Sequence, residues 1–289
     1  MDHSPSKDAH TRQKRSPMAI EFTEACDIRL DPYRDVKEKS ISPESQRQFI
    51  VEGKYCVDRL AKSGISVHSV VVREGLQDEV ADWFSQSPLN TEIDIYVLST
   101  AEIRKLVGFD FHRGVIACGI GQTENTTDEL LTLPTKPKIV LAALGIGDRD
   151  NLGSIIRTAT AMGVHHLIRD RACVDPLARR VIRTSMATVF SQTIYLADDA
   201  NRDLKTLVDQ GGFRTIATTL SNEATPIDQL RPDHRPIILM MGNESTGLSK
   251  ELQETASDRV TIPMNVAADS LNVSVATAIF LYELTRVRS

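Results

Sequence analysis

The second half of the chain alternates short, largely apolar runs with segments of helical periodicity. The apolar runs are residues 139–145, 165–170, 193–196, 214–220, 236–242 and 260–264. Apolar strands spaced by helices are typical of a parallel sheet that is covered on both faces. The pattern therefore predicts an α/β domain with a parallel sheet over residues 138–289. Ligands of such sheets bind beyond the carboxyl ends of the strands, so the loops that follow these strands are the candidate site.

The first half of the chain contains fewer strand-like and helix-like segments. The strand-like runs are residues 68–73, 94–98 and 115–119, and the helical stretches are residues 53–62 and 100–107. They predict a second, smaller α/β domain over residues 30–122. The polar residues 123–137 include two prolines and are predicted to form a linker. The polar residues 1–29 are predicted to form a disordered tail.

The composition limits the class of protein. With 41% hydrophobic and 25% charged residues, the chain is typical of a soluble globular protein, and the net charge of -5 argues against a generally basic coat for nucleic acid. The sequence has no run of 18 apolar residues and no apolar segment of a secretory signal, so neither a membrane span nor a signal peptide is expected. The four scattered cysteines favour free thiols in the cytoplasm and disfavour a metal site.

The segment GNESTG, residues 242–247, is a glycine-bounded loop between a predicted strand and a predicted helix. Its spacing matches the first half of the phosphate-binding P-loop pattern G-x-x-x-x-G-K-[ST]. However, Leu248 occupies the position of the required lysine, and Glu244 would place a carboxylate beside the phosphate oxygens. A nucleoside triphosphate hydrolase is therefore disfavoured. The loop is expected to hold a ligand that tolerates or uses a nearby acid.

The segment DRDNLGSIIRTA, residues 148–159, follows the first strand of the second half. Either Asp150 or Asn151 is predicted to cap a helix at this point, and Arg157 would project from the second turn of that helix. From the residues alone, Arg157 could equally be an ordinary surface arginine.

The last strand ends at I-P-M, residues 262–264, and S-L-N-V-S-V-A, residues 270–276, begins the last helix with Ser270 near its cap. Leu271, Val275 and Ile279 form an apolar stripe, which is predicted to pack mainly in the core.

Taken together, N-L-G-x-x-x-R-T-A (151–159), G-N-E-S-T-G-L-S (242–249) and I-P-M with S-L-N-V-S-V-A resemble the three motifs of the SpoU/TrmH branch of the SPOUT methyltransferases. The resemblance covers roughly residues 139–287. It implies an RNA ribose 2′-O-methyltransferase that uses S-adenosylmethionine and acts as a homodimer, with a deep trefoil knot in its sheet. Residues 49–64 and 112–119 are similar to the L30e-like substrate domain that many members carry. This extra domain favours structured ribosomal RNA over transfer RNA as the substrate, by analogy.

The resemblance also implies the roles of individual residues. The catalytic set is Arg157, Asn151, Glu244, Ser270 and Asn272. The cofactor set is Leu220, Gly242, Asn243, Ile262, Met264 and Leu271. A guanidinium group stays protonated in proteins, so an arginine is a poor general base. Two roles therefore remain open for Arg157: removal of the proton, or binding of a phosphate together with polarisation of the ribose hydroxyl.

An arginine-rich segment after the second strand of the predicted catalytic domain is the best candidate for RNA contact. The proposed RNA-binding residues are Arg169, Arg171, Arg179, Arg180 and Arg183, with Arg113 in the smaller domain. The alternative is a solvated surface with local ion pairs. A catalytically inactive RNA-binding or assembly protein with the same fold is a further alternative for the whole chain.

The sequence departs from the family pattern at three places. Arg149 stands where relatives often have proline, Ala187 replaces a glycine, and residues 265–269 contain no glycine. These departures affect the substrate and the shape of the loops, and none of them falls on the predicted catalytic set.

Overall fold

A computed structural model of the protein contains two sheets, one in each half of the chain. The described residues are 19–21, 25–34, 47–89, 93–265 and 270–286. The predictions made above for residues 1–18, 22–24, 35–46, 90–92, 266–269 and 287–289 lie outside the described residues.

The first sheet is mixed and has five strands. These are β1 (Ala19–Glu21), β2 (Gln48–Glu52), β3 (Val67–Arg73), β4 (Asp94–Leu98) and β5 (Val115–Ile120). Their order is β1-β4-β3-β5-β2. Strands β1, β4 and β3 are parallel, and β5 is antiparallel to both β3 and β2.

Helices cover both faces of the first sheet. They are a 3-10 helix (Ile28–Tyr33), α1 (Lys54–Lys62), α2 (Gln77–Ser85) and α3 (Thr100–Val107). Val70 and Val72 belong to the same buried cluster as the apolar residues of α1 and α2, whereas Val71 belongs to the cluster that contains those of α3 and the 3-10 helix. This arrangement explains the consecutive valines of β3, because alternate residues of a strand point to opposite faces.

The second sheet has eight strands, and every pairing in its described part is parallel. They are β6 (Asn125–Thr126), β7 (Ile139–Ala143), β8 (His166–Asp170), β9 (Thr193–Ala197), β10 (Arg214–Thr218), β11 (Thr225–Pro226), β12 (Ile237–Met241) and β13 (Asp258–Thr261). Their order is β11-β13-β10-β12-β7-β8-β9-β6. The predicted parallel sheet is therefore confirmed.

The helices of the second half lie on the two faces of this sheet. They are α4 (Glu129–Thr132), α5 (Arg149–Ala161), α6 (Arg179–Thr184), α7 (Ala200–Asp209), α8 (Lys250–Thr255) and α9 (Val273–Arg286), with 3-10 turns at Thr188–Ser191 and Ile227–Gln229. One buried cluster contains Leu141 with the core residues of α5, α6 and α9, and the other contains Val140 with those of α7 and α8. Every residue of the central strands β7 and β12 is buried.

The order of the strands brings two distant loops together. From β7 the chain builds the sheet in one direction through β8 and β9, and it then returns to add β10, β12 and β13 on the other side. The loops that follow β7 and β12 are therefore neighbours, and the backbone N–H of Leu144 donates to the carbonyl of Met241 at 2.9 Å. Such a reversal of strand order is where open α/β sheets bind their ligands.

Two segments that were predicted to lack regular structure form parts of the sheets. Strand β1 lies in the predicted tail, residues 1–29, and pairs with β4. The predicted linker, residues 123–137, contains β6, which pairs with β9, and α4, whose Leu130 is fully buried. Both predictions were wrong for these residues. Edge strands of two or three residues are too short to show a hydrophobic pattern in the sequence.

The last helix buries a different stripe from the predicted one. Helix α9 begins at Val273, and its buried residues are Val273, Thr277, Phe280, Leu281 and Leu284. Val275 is 48% exposed, and Leu271 and Ile279 are only partly buried. The prediction that these three residues pack mainly in the core was therefore wrong. Apolar residues occur on more than one side of this helix, so its sequence did not identify the face that packs against α5.

Candidate active site

The loop after β12 is so tight that only glycine fits at its first position. A Cβ atom on Gly242 would lie 2.4 Å from the backbone carbon of Gly247. The side chain of Asn243 fixes the rest of the loop. Its Oδ1 accepts from the backbone N–H groups two and three residues later, at 2.9 and 3.1 Å, and its Nδ2 donates to the carbonyl of Gly145 at 2.8 Å. The next side chain, Glu244, is left at the surface of the loop.

One chain of hydrogen bonds joins all three predicted motifs. Asn272 Nδ2 donates to Asn151 Oδ1 at 2.9 Å, and Asn151 Nδ2 donates to Glu244 Oε1 at 3.0 Å. Asn272 Oδ1 in turn accepts from the backbone N–H of Ser274 at 2.9 Å. Each of the two asparagine side chains thus accepts with its Oδ1 from one neighbour and donates with its Nδ2 to the next. These contacts link residues that are 121 and 93 positions apart in the sequence.

Glu244 is held by neutral donors. Besides Asn151, its carboxylate faces the backbone N–H groups of Gly147 and Asp148, each at 3.4 Å. Partial burial acts to raise the pKa of Glu244, but the hydrogen bonds from Asn151 and the backbone outweigh it and lower the pKa below the usual value. Glu244 is therefore a carboxylate at neutral pH, and it contributes a net negative charge to the site.

The cap of α5 differs from the predicted one. Asp148 is the N-cap, and its Oδ1 accepts from the backbone N–H of Asn151 at 2.8 Å. Asp150 lies inside the first turn and binds Arg180, so the prediction of Asp150 or Asn151 as the cap was wrong by two or three residues. Capping by Asp148 leaves the side chain of Asn151 available for Glu244.

A cavity of about 560 Å³ opens at the carboxyl ends of β10, β12 and β13. This volume is in the range of small-molecule sites. All six predicted cofactor residues line it: Leu220, Gly242, Asn243, Ile262, Met264 and Leu271. Four of the predicted catalytic residues also line it: Asn151, Glu244, Ser270 and Asn272. The lining further includes Thr218, Thr219 and Gln253, which the motifs did not identify. The position of the two threonines at the end of a parallel strand could have identified them.

Arg157 is the predicted catalytic residue that does not line this cavity. It is exposed on α5, six residues beyond Asn151 and therefore about 9 Å further along the helix axis. Its side chain makes no ion pair and no hydrogen bond with the described residues. A free, exposed guanidinium remains available to a ligand or to another chain.

The arginine-rich segment is largely engaged in ion pairs. The Arg169 side chain is 12% exposed, and its Nε and Nη2 donate to Glu124 at 2.7 and 2.6 Å. Arg180 forms a similar two-pronged contact with Asp150 at 2.8 and 2.5 Å and lowers the pKa of that carboxyl to about 2. Arg171 is exposed and pairs with Asp198 at 2.7 Å. These three residues therefore fit the alternative to RNA contact, namely local ion pairs. Arg169 in particular is mostly buried.

The other three arginines surround one buried carboxylate, Glu52, at the end of β2. Arg179 binds Glu52 directly at 2.8 Å and lies 5.0 Å from the ring centre of Phe109. Arg183 and Arg113 are further away, at 3.6 and 3.8 Å. Of the predicted RNA-binding residues, Arg113 and Arg183 therefore keep the freest guanidinium groups near the junction of the two sheets.

The turn after α6 has a backbone conformation that favours glycine, the residue that the resemblance implies at the position of Ala187. The backbone of Ala187 has a φ of 61°, and that of the preceding Met186 has a φ of 53°. These left-handed values favour glycine, because a Cβ atom is crowded there. Arg59 Nη1 donates to the carbonyl of Met186 at 2.8 Å, so a residue of the first half holds this strained turn.

The glycine of the N-L-G motif is required by packing. A Cβ atom on Gly153 would lie 2.7 Å from Thr184 Cβ and 3.0 Å from the carbonyl oxygen of Val181. Helices α5 and α6 therefore approach each other almost backbone to backbone at this point.

The described residues contain no helix that is long and apolar enough to cross a membrane, and no group of three or more histidine, cysteine or acidic side chains that could hold a metal ion.

The chain is similar to known RNA methyltransferases. Residues 138–282 match the family described as the SpoU rRNA Methylase family. The chain is 29% identical to an uncharacterised tRNA/rRNA methyltransferase of Mycobacterium bovis over 283 residues, which are 95% of this chain and 96% of the relative. It is 35% identical to the 23S rRNA (guanosine-2′-O-)-methyltransferase RlmB of Acinetobacter baylyi over 203 residues, 68% of this chain and 79% of that one.

A solved structure has a similar fold. The AdoMet-bound rRNA methyltransferase of Sinorhizobium meliloti matches with a TM-score of 0.77 and 25% identity, over 93% of this chain and 98% of that chain. The fold and the cavity thus define an α/β methyltransferase. The chain belongs to the SpoU rRNA methylase family.

Proposed function

We propose that this protein methylates a ribose 2′-hydroxyl of ribosomal RNA in the cytoplasm. Family membership establishes the class of reaction: the protein is an RNA 2′-O-methyltransferase that uses S-adenosylmethionine. The name of the Acinetobacter relative supports ribosomal RNA, whereas the mycobacterial relative is named for both RNA classes, so transfer RNA is the second candidate. The observation that carries the proposal is the chain of hydrogen bonds from Asn272 through Asn151 to Glu244, which unites the three motifs at the cavity.

The residues around the cavity fit this cofactor. Leu220, Ile262, Met264 and Leu271 offer apolar side chains for an adenine ring, and the backbone at Gly242 can approach a ligand closely. Glu244 is ionised, which suits a cofactor with a cationic sulfonium and disfavours a phosphate. S-adenosylmethionine supplies the methyl group on that sulfonium when it is bound.

The acceptor oxygen has to be aligned with the methyl group, and its proton has to leave. Arg157 binds a phosphate of the target nucleotide and polarises the ribose hydroxyl, and it is not the base, because its guanidinium stays protonated. The proton passes to a phosphate oxygen or to water. Asn151 and Asn272 hold Glu244 and the neighbouring loops in place, and Ser270 lies at the same rim of the cavity.

The active form is a homodimer in which a second copy supplies Arg157. Two observations support this. Arg157 does not line the cavity of its own chain. On α9, which packs against α5, Val275 and Tyr282 leave 48% and 54% of their surface exposed, as an apolar patch that needs a partner.

Mixing two inactive variants tests this dimer. Arg157→Ala and Asn272→Ala damage different halves of a shared site, so each mixed dimer should regain one intact site. A random mixture should then recover about a quarter of the wild-type activity, since about half of its dimers are mixed and each has one working site. No recovery, with mixed dimers shown by mass spectrometry, would place Arg157 in its own chain's site.

The two halves of the chain have separate tasks in this proposal. Residues 30–122 form an L30e-like domain that recognises the RNA, and residues 138–289 carry out methyl transfer. The second half of the chain contains a trefoil knot at the 242–248 loop. This is supported by the presence of Met264, Leu271 and Gly247 around one cavity and by the return of α9 onto α5.

Mapping of 2′-O-methyl groups on total RNA from cells with and without this gene tests the substrate. Loss of one ribosomal position supports the proposal, and loss of a position in a transfer RNA selects the second candidate. An unchanged map, together with no methyl transfer by the purified protein, would favour the inactive assembly protein.

A further inference from the structure

Glu52 lies where strand β2 of the first sheet meets helix α6 of the second half, and it is buried with 3% of its surface exposed. Its Oε2 accepts from Arg179 Nε at 3.2 Å and from Arg179 Nη2 at 2.8 Å. One oxygen of the carboxylate is therefore satisfied by a single arginine of α6. This contact ties β2 of the first sheet to the second half of the chain.

The other oxygen of Glu52 faces two arginines that come from opposite sides of the junction. Arg113 precedes β5 in the first half, and its Nη1 lies 3.8 Å from Oε1. Arg183 is in the last turn of α6 in the second half, and its Nη1 lies 3.6 Å from the same oxygen. Both distances are too long for hydrogen bonds, and neither side chain forms one with the described residues. The N–H donors of both guanidinium groups are therefore available.

The charges at this junction do not balance. Three guanidinium groups, those of Arg113, Arg179 and Arg183, surround one carboxylate. The side chains of Arg113 and Arg183 are 46% and 37% exposed, so the excess positive charge faces solvent. Their Nη1 atoms are less than 8 Å apart, because both lie within 4 Å of Oε1. Two planar donors at this separation can bind one phosphodiester together or two neighbouring ones.

An exposed aromatic ring belongs to the same surface. Tyr55 is 77% exposed at the start of α1, two residues after Gly53, whose backbone packs against the Arg113 side chain. Arg59 lies one turn further along the same face of α1 and reaches across the junction to the carbonyl of Met186. Tyr55 thus lies on a helix face that extends from Arg113 towards α6.

We propose that Arg113 and Arg183, held by Glu52, form a two-domain binding site for the phosphates of the RNA substrate, and that Tyr55 stacks on an unpaired base beside it. This inference rests on the proposed function and specifies how the RNA is held. Arginine is suited to phosphate, and an exposed aromatic ring is suited to a base that is not in a helix. Glu52 is a positioning residue, because it keeps two like-charged groups close together.

Replacement of Arg113 and Arg183 by glutamine, singly and together, tests the phosphate site. The probe is a ribosomal RNA fragment that the wild-type protein binds, with affinity measured from low to moderate salt. Each single variant should weaken binding about tenfold and lower the slope of log affinity against log salt by about one. Methyl transfer should show a raised KM for RNA with kcat retained, and affinity for S-adenosylmethionine should stay unchanged.

Arg202→Gln is the matched control, because Arg202 is also an exposed arginine paired with a carboxylate, on α7. It should change neither the affinity nor the salt slope. A folded Arg113→Gln, Arg183→Gln double variant that binds RNA with the wild-type affinity and slope would overturn the phosphate site.

Tyr55→Ala and Tyr55→Phe test the stacking separately. The alanine variant should weaken RNA binding about tenfold without a change in salt slope, and phenylalanine should restore it, since stacking needs the ring and not the hydroxyl. Equal binding by all three proteins would remove Tyr55 from the site. If the wild-type protein binds and methylates no RNA, the proposed function itself fails; if it does both and these variants match it, only this site fails.

Discussion

Glu244 and Glu52 each organise the groups around them, but with opposite kinds of donor. Glu244 is held by the amide of Asn151 and by backbone N–H groups, which are all neutral, so the cavity keeps a negative charge. Glu52 is held by guanidinium groups that outnumber it, so the junction keeps a positive charge. The charge of a site thus depends on the partners of its carboxylate. In this molecule it separates a region suited to a cationic cofactor from one suited to RNA.

The largest effect is expected at Arg157. Its guanidinium would have to lie at the negatively charged cavity during the reaction. Arg157→Ala should lower the single-turnover rate by about 10²–10³, or about 3–4 kcal/mol, with little change in cofactor affinity. Arg157→Lys should rescue poorly, because a point charge does not reproduce the planar contact. Near-normal turnover by the alanine variant would remove Arg157 from the mechanism.

The next largest effect is expected at Glu52, in the positively charged junction. Glu52→Gln leaves three guanidinium groups around a neutral side chain and should destabilise the protein by about 2 kcal/mol, less than for a fully buried pair because the arginines reach solvent. Thermal unfolding measures this loss. Asp198→Asn, which removes an exposed carboxylate from Arg171, is the control and should change stability by less than about 0.5 kcal/mol. Equal losses in the two variants would show that Glu52 has no special role.

A smaller effect is expected from the pH dependence of Glu244. Its pKa is lower in the folded protein than in the unfolded chain, so its ionisation stabilises the fold at pH values above the unfolded pKa. This stability is lost as the pH falls through the lowered folded pKa. Wild type should therefore exceed Glu244→Gln in stability at pH 7 by less than about 1 kcal/mol, because the group is exposed, and the two should converge towards pH 3. A constant difference from pH 7 to pH 3 would contradict this.

The smallest effect is expected at Ala187. Glycine would relieve a left-handed backbone by about 1–2 kcal/mol, but it would lose a buried methyl group and add freedom to the unfolded chain, at about 0.5–1 kcal/mol each. Ala187→Gly should thus change the free energy of unfolding by less than about 1 kcal/mol. Gly163→Ala is the control: Gly163 has a φ of 75° and open space around it, and alanine there should destabilise by about 1 kcal/mol. If Ala187→Gly lost more than about 1 kcal/mol of unfolding free energy, the left-handed backbone of Ala187 would carry negligible strain.

The sequence predicted the centre of the second sheet better than its edges, for physical reasons. The central strands β7 and β12 are buried on both faces, which produces a continuous apolar run that can be recognised. Strand β6 has two polar residues at a sheet edge and gives no such signal. The motifs also grouped the six residues predicted to bind the cofactor, all of which line one cavity.

Contacts between distant residues were not predictable. Arg169 and Arg179 bind carboxylates 45 and 127 positions away, and no local pattern relates the members of these pairs. The exposure of Val275 likewise depends on which face of α9 meets α5, which only the packed structure determines.

The close contact at Gly153 has a consequence for how the target is chosen. Helix α5 carries Asn151 and Arg157, helix α6 carries Arg183, and the two meet almost backbone to backbone. In the proposed function, the rigid packing of these two helices sets the distance from the RNA contact at Arg183 to the hydroxyl held by Arg157. The test is to change the base sequence of the RNA at constant spacing and to map the modified position. If the protein sets the distance, that position should stay fixed. In the proposed function, such an enzyme would select its nucleotide by its distance along folded RNA and not by direct reading of the base that it modifies.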